Sequence, residues 1–175
     1  MDIETIKREK DGLDVLDDIY RFAREGFNSI PDDDFERLKW YGLFRRKQTP
    51  GYFMLRLRIP NGAVTARQLA GLGEIARSYG RGSVDITTRQ NIQLRWIRIE
   101  DVPALFEEFD AIGISHLQPG MDNIRNVTGC PAAGLGQDEL IDATQLARDI
   151  QDSIIGRKEF SNLPRKFNIR ISGCR

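Results

Sequence analysis

The chain has 175 residues, with 26 Lys plus Arg against 26 Asp plus Glu, so its formal net charge is zero. That length can build one domain or a little more around a real core, and the charge balance lacks the basic footprint of a general nucleic-acid binder. No apolar run approaches ~18 residues, and the start, MDIETIKREKDGLD, has neither an apolar signal region nor an acid-poor transit composition, so no membrane and a cytoplasmic setting are expected.

Residues 1–25 predict an amphipathic helical stretch, with Ile3, Ile6, Leu13, Leu16, Ile19, Tyr20 and Phe22 apolar and Gly12 as an interruption. The acids Asp32, Asp33 and Asp34 suit the start of a second helix covering Phe35 to Tyr41. Arg45, Arg46, Lys47 and the Pro50-Gly51 turn mark a connector. Tyr52 to Pro60 then alternates as a strand, ended by Pro60-Asn61-Gly62. Thr65 is placed to cap a helix running to Tyr79, with Leu69, Leu72 and Ile75 on one face and Gly80 at its stop. Ser83 to Ile99 reads as extended again. Asp101 opens a helix bearing Val102, Leu105, Phe106, Phe109 and Ile112, stopped by Gly113.

Strand, helix, strand, helix of this size suggests an α+β, ferredoxin-like half-unit. Beyond it, Asp122 to Gly136 reads as loop. Asp138 to Ile155 predicts a helix with Leu140, Ala147, Ile150 and Ile154 inward, and Leu163 to Arg175 predicts a strand. The expected organisation is a helical segment over 1–46, the ferredoxin-like half-domain over 47–116, and the beginning of a further domain over 117–175.

Three of these segments carry a cationic face, because side chains alternate across a strand. Arg56 and Arg58 oppose Phe53, Leu55, Leu57 and Ile59. In SVDITTRQNIQLRW the odd positions Asp85, Thr87, Arg89, Asn91, Gln93 and Arg95 are polar, and the even positions Val84, Ile86, Ile92, Leu94 and Trp96 are apolar. Lys166, Asn168 and Arg170 oppose Phe167, Ile169 and Ile171. Such faces can be solvated edges kept for solubility. Three of them converging would need an anionic guest, a polycarboxylate or a small oxyanion.

Other motifs lack their context. Gly71 to Ala76 fits G-x-G-x-x-A inside a helical pattern, where it makes no dinucleotide site. His116 is the single histidine, expected to be structural. The two cysteines, Cys130 and Cys174, argue against a disulfide framework or a zinc site.

In this order, FMLRLRIPNG, DITTRQNIQLR, GMDNIRNVTG and LPRKFNI closely resemble ferredoxin-dependent nitrite reductases of the sirohaem nitrite/sulfite reductase superfamily, over nearly the whole chain. The resemblance implies sirohaem coupled to a 4Fe–4S cluster, six-electron reduction of nitrite to ammonium, and reduced ferredoxin as donor. It also implies that the further domain is the start of the sirohaem/4Fe–4S domain. By motif it places Arg56, Arg125 and Lys166 in the substrate pocket, with Asn168 as a selector where the sulfite-reducing branch carries lysine. Arg58, Arg89 and Arg165 fall at or beside positions that contact the sirohaem carboxylates.

One departure stands out. The cluster needs four thiolates, and the family supplies them in cysteine pairs beyond the LPRK strand, a region this sequence does not contain. Cys130, in TGCPAAG, has Gly134 where a second thiol would stand, so it is expected not to ligate, and Cys174 is expected to be structural. The expectation is therefore the N-terminal part of a longer nitrite reductase. The alternatives are a sulfite reductase fragment and a truncated, non-catalytic module that binds a tetrapyrrole or an anion.

Overall fold

The computed structural model describes residues 2–174. Helix α1 (Ile3–Glu9) and α2 (Leu16–Glu25) are separated by a 3-10 turn at Gly12–Val15, where the sequence places its interruption. Gly12 is required by proximity: a Cβ there would lie 2.1 Å from Cδ2 of the buried Trp40 ring. Gly12→Ala should therefore cost about 1–3 kcal/mol by overpacking. Urea unfolding reads this, and a variant as stable as the parent would mean that Trp40 has room to move.

Helix α3 (Asp32–Arg37) runs into a 3-10 turn that buries Leu38, Trp40 and Tyr41. The connector then holds a short strand that the sequence pattern does not announce, β1 (Leu43–Arg45). Three residues are too few for alternation to register. Strand β2 (Phe53–Leu57), helix α4 (Ala66–Tyr79) and helix α5 (Val102–Ile112) follow the expected spans within a few residues. Thr65 and Gln68 close a full capping box on α4, and Gly113 ends α5 in the left-handed region (φ +67°).

The stretch 83–99 is a hairpin rather than one extended run: β3 (Val84–Ile86) turns at 87–91 into β4 (Ile92–Ile97). All pairings are antiparallel, and the sheet order is β1-β2-β4-β3. A register shift between Phe53 and Leu55, which pair with Ile97 and Leu94, reverses the alternation in β4. Trp96, expected on the apolar face, has φ +66° and turns outward, its ring 3.7 Å from the Arg81 guanidinium and edge-on to Tyr52. Ile97 takes the buried position. Strand β3 lies at the sheet edge, so Val84 and Ile86 stay exposed rather than joining the core.

One face of the sheet, with Leu43, Phe53, Leu55, Leu57, Ile92, Leu94 and Ile97, packs with Ile19 and Phe22 of α2, Leu72 and Ile75 of α4, and Leu105 and Phe109 of α5. His116 is buried here and stacked on Phe106 at 3.7 Å; burial pulls its pKa down to about 4, so it is neutral at pH 7 and structural. The opposite face carries Arg56 and Gln93.

Two further expectations change. Helix α6 (Ala143–Ile154) begins at its Asp142 cap, five residues late, and leaves Leu140 exposed. The segment from Leu163 onward does not form a continuous strand. It runs parallel to 123–128 through isolated bridges at Ile124–Phe167 and Thr128–Arg170, and Phe167 is 57% exposed. With single bridges and no sheet face to cover it, alternation has no core to bury into.

Candidate functional site

Five segments converge on the polar face of the sheet. Strand β2 supplies Arg56, the 87–91 turn supplies Thr87, Thr88, Arg89 and Asn91, β4 supplies Gln93, the loop after α5 supplies Arg125, and the 163–171 segment supplies Lys166. Together they line a cavity of about 290 Å³ with no carboxylate in its wall.

Side-chain amides hold these segments in place. The Asn126 amide donates to the carbonyls of Ile59 (2.8 Å) and Arg89 (3.0 Å), tying the loop to the residues just after β2 and to the turn. Gln90, in the left-handed region at φ +55°, pairs reciprocally with the Gly129 backbone at 3.1 and 3.0 Å. Gly129 has no room for a side chain, because a Cβ would meet Asn61 Oδ1 at 1.9 Å. Backbone bonds Arg125 N→Phe167 O (2.8 Å) and Phe167 N→Asn123 O (3.1 Å) set the Lys166 segment beside the Arg125 loop.

Within the cavity Arg56 lies over the Phe44 ring at 4.5 Å, and the Gln93 amide, assigned with its oxygen toward Arg56 because that orientation alone pairs both groups, accepts from Nε and Nη2 at 3.1 Å each. Arg125 donates from Nη1 to the Pro119 carbonyl at 3.0 Å, while its buried Nε has no partner. Burial, then the charges of Arg56 and Arg89, push the Arg125 pKa down to about 10 in spite of Asp122 nearby; burial, then Arg89, lowers Arg56. Both guanidiniums stay charged at neutral pH. The crowding is a standing penalty that a bound anion relieves.

The residues singled out by sequence divide as follows. Arg56, Arg89, Arg125 and Lys166 meet at the cavity. Asn168 is beside it, exposed, its Oδ1 accepting from Arg89 Nη1. Arg165 is exposed next to Lys166 in the chain and is not part of the wall.

Arg58, expected as a ligand for cofactor carboxylates, is instead 1% exposed beneath the site. Its guanidinium donates to Gln151 Oε1 (3.1 Å) and to the carbonyls of Gln118 (3.1 Å), Ile124 (2.8 Å) and Arg125 (3.1 Å). Strand parity gives it the same side as Arg56, but the loop 118–126 folds over it. Thr88 was not anticipated, because it falls on the apolar parity of a run that proves to be a turn.

The wall fits carboxylates and small oxyanions: it offers three guanidiniums and an ammonium, with an unpaired buried donor on Arg125. It does not fit an iron–sulfur cluster. Four thiolates are needed, and the chain has two cysteines, Cys130 half-buried and Cys174 exposed, while no group of three or more metal-ligating side chains occurs among the described residues. Nor is any helix among them long and apolar enough to cross a membrane.

Comparison with known proteins adds the following. Residues 44–112 match the nitrite/sulfite reductase ferredoxin-like half domain, and residues 120–175 match the nitrite and sulphite reductase 4Fe-4S domain. A ferredoxin–nitrite reductase of Leptolyngbya laminosa is 51% identical across 98% of this chain and 35% of its own length. An assimilatory ferredoxin-dependent nitrite reductase of Haloferax mediterranei is 40% identical across 98% of this chain and 32% of its own. The solved structure of the Mycobacterium tuberculosis NirA protein superposes with a TM-score of 0.89 at 35% identity, covering 97% of this chain and 34% of that one. The chain thus spans about a third of the length of the curated relatives it matches.

Proposed function

The chain belongs to the nitrite and sulfite reductase family, and within it we propose that it forms the anion-binding wall of a ferredoxin-dependent nitrite reductase. The supporting observation is the cavity of four cations, drawn from four segments, with no carboxylate in its lining. On this reading Arg56, Arg125 and Lys166 hold nitrite and neutralise the charge that develops as oxygen leaves, with Lys166 and the arginines helping to relay protons. Arg89 and the exposed Arg165 would hold the carboxylates of a sirohaem, which when bound supplies the iron at which electrons reach the substrate. Arg58 acts from beneath, by fixing the Arg125 loop. The cluster ligands lie outside this chain. Reduced ferredoxin is the donor, a reading suggested by the names of the relatives.

The test is to join this chain to the part of the Leptolyngbya relative that the match does not cover, load the product with both cofactors, and measure ammonium formed from nitrite with reduced ferredoxin. Turnover lost on replacing Arg56 or Lys166 with alanine, at unchanged cofactor content, supports the reading. Unchanged turnover in both variants rejects it.

Nitrite rather than sulfite is favoured by Asn168. A second ammonium there would suit sulfite, which carries up to two charges and three oxygens, whereas a neutral amide suits nitrite. Asn168→Lys replaces the acceptor of Arg89 with a like charge and frees that guanidinium toward the cavity. We expect the sulfite-to-nitrite ratio of kcat/KM to rise about tenfold in the joined enzyme. An unchanged ratio would remove Asn168 as the selector.

A further inference from the structure

Lys7 lies on α1, far from the cavity in sequence, yet its side chain is 4% exposed. Its ammonium donates three hydrogen bonds: to Glu4 Oε1 (2.7 Å), to Asp122 Oδ2 (3.0 Å) and to the Leu163 carbonyl (3.1 Å). The second carboxylate oxygen, Asp122 Oδ1, accepts the backbone N–H of Lys166 at 3.1 Å. The Asp122 carbonyl accepts the Leu163 N–H at 2.8 Å. Helix α1 is itself held by Arg37, which donates to the Ile6 carbonyl (3.1 Å) and to Glu9 (3.2 Å).

Burial acts against the Lys7 charge, but the hydrogen bonds to Glu4 and Asp122 outweigh it and raise its pKa, so the ammonium is charged at any working pH. Pro164 through Asn168 are exposed and belong to no sheet; beyond Lys166 the segment is tied by the two Phe167 backbone bonds to the 123–125 loop and by Arg89 on Asn168, but the Lys166 N–H itself is held by Asp122 alone. A side chain that must meet a small anion has to be held to within a fraction of an ångström. Here the hold comes from Asp122, and Asp122 is in turn oriented by Lys7.

We infer that Lys7 and Asp122 are positioning residues for Lys166, coupling the N-terminal helix to the anion cavity. The inference rests on the proposed function for the role of Lys166, but the mechanical link can be judged without it. Losing the pair would release the Leu163–Lys166 segment while leaving the sheet and its core, to which neither residue belongs, in place.

The first measurement is amide hydrogen exchange, by NMR, on the 175-residue chain. In Lys7→Met and in Asp122→Asn the Lys166 N–H should exchange about tenfold faster, with the Leu55 and Leu94 amides as internal references for global opening. Lys7→Arg, which keeps the charge, should recover most of the protection. If Lys7→Met unfolds the chain, Asp122→Asn, which removes the charge that Lys7 pairs with, gives the same comparison. Unaltered Lys166 exchange against unaltered references overturns the inference.

The second measurement is nitrite affinity, followed on the arginine Nε–H signals of Arg56 and Arg125. Lys7→Met should weaken binding about fivefold in the parent and less than about twofold in a Lys166→Ala background, the non-additivity expected of residues acting through one another. Equal losses in both backgrounds overturn the inference. Absence of nitrite binding by the unaltered chain counts against the proposed function instead, and leaves the exchange result to decide the link.

Discussion

Replacing Arg58 with methionine should cost about 3–5 kcal/mol of folding stability, the largest loss expected from any single polar side chain in the molecule. Arg58 has no carboxylate partner. Its charge is satisfied by three carbonyls, those of Gln118, Ile124 and Arg125, and by the Gln151 amide oxygen. Burial at 1% exposure, together with the neighbouring Arg125, drives its pKa down to about 10, which leaves it charged at neutral pH. Methionine has a similar length and no donors, so the acceptors would be left without a partner away from water. Each such orphan costs on the order of 1–3 kcal/mol, and relief from burying a lone cation offsets only part of the sum.

The change also has a local signature. Gln118 and Arg125 bracket the loop that carries the site, and Gln151 belongs to α6, so the variant should loosen both while the β2–β4 pairing persists. Urea unfolding gives the magnitude, and exchange at the 118–126 amides gives the place. A methionine variant within about 1 kcal/mol of the parent would mean that water reaches those carbonyls.

Arg58 also shows what could and could not be read from the sequence. Parity along β2 assigned Phe53, Leu55, Leu57 and Ile59 to the core and Arg56 to the other side, and all four apolar residues are buried. Helices α4 and α5 were legible for the same reason: a 3.6-residue period with caps at both ends is a local signal. What parity does not encode is what lies over a face. Arg56 and Arg58 point the same way, yet a loop from beyond α5 covers one and leaves the other open.

The same limit explains β3 and β4. Their alternation is real within each strand, but a turn at 87–91 and a register shift at Trp96 alter which face each parity means. Parity marks three cationic segments without saying whether they converge. Convergence itself depends on contacts such as those of Asn126 and Gln90, which no periodicity reveals. The Lys166 segment was the least legible, because its order comes from single bridges and from Lys7 and Asp122 rather than from its own pattern.

The cavity's charge then makes Arg125 its most consequential residue for binding. Arg125→Ala should lower kcat/KM for nitrite by about 10²–10³-fold in the joined enzyme, the range seen when a preorganised donor to a developing anion is removed. Three features single it out. Its Nε is buried with no protein partner, so it has a donor to spare for a guest. Its Nη1 is fixed on the Pro119 carbonyl, so the fork is preorganised. It is also crowded by Arg56 and Arg89, so the penalty relieved by an anion is concentrated there. Arg125→Lys should restore only part of the loss, since an ammonium supplies the charge without the planar fork.

Stability should move little in either variant, or rise slightly in the alanine one, because like charges are being separated. That opposition, with binding lost and stability kept, distinguishes Arg125 from Arg58, whose removal should damage both. An alanine variant that unfolds as badly as Arg58→Met would identify Arg125 as a structural strut. One that turns over nitrite at the parental kcat/KM would place the anion elsewhere.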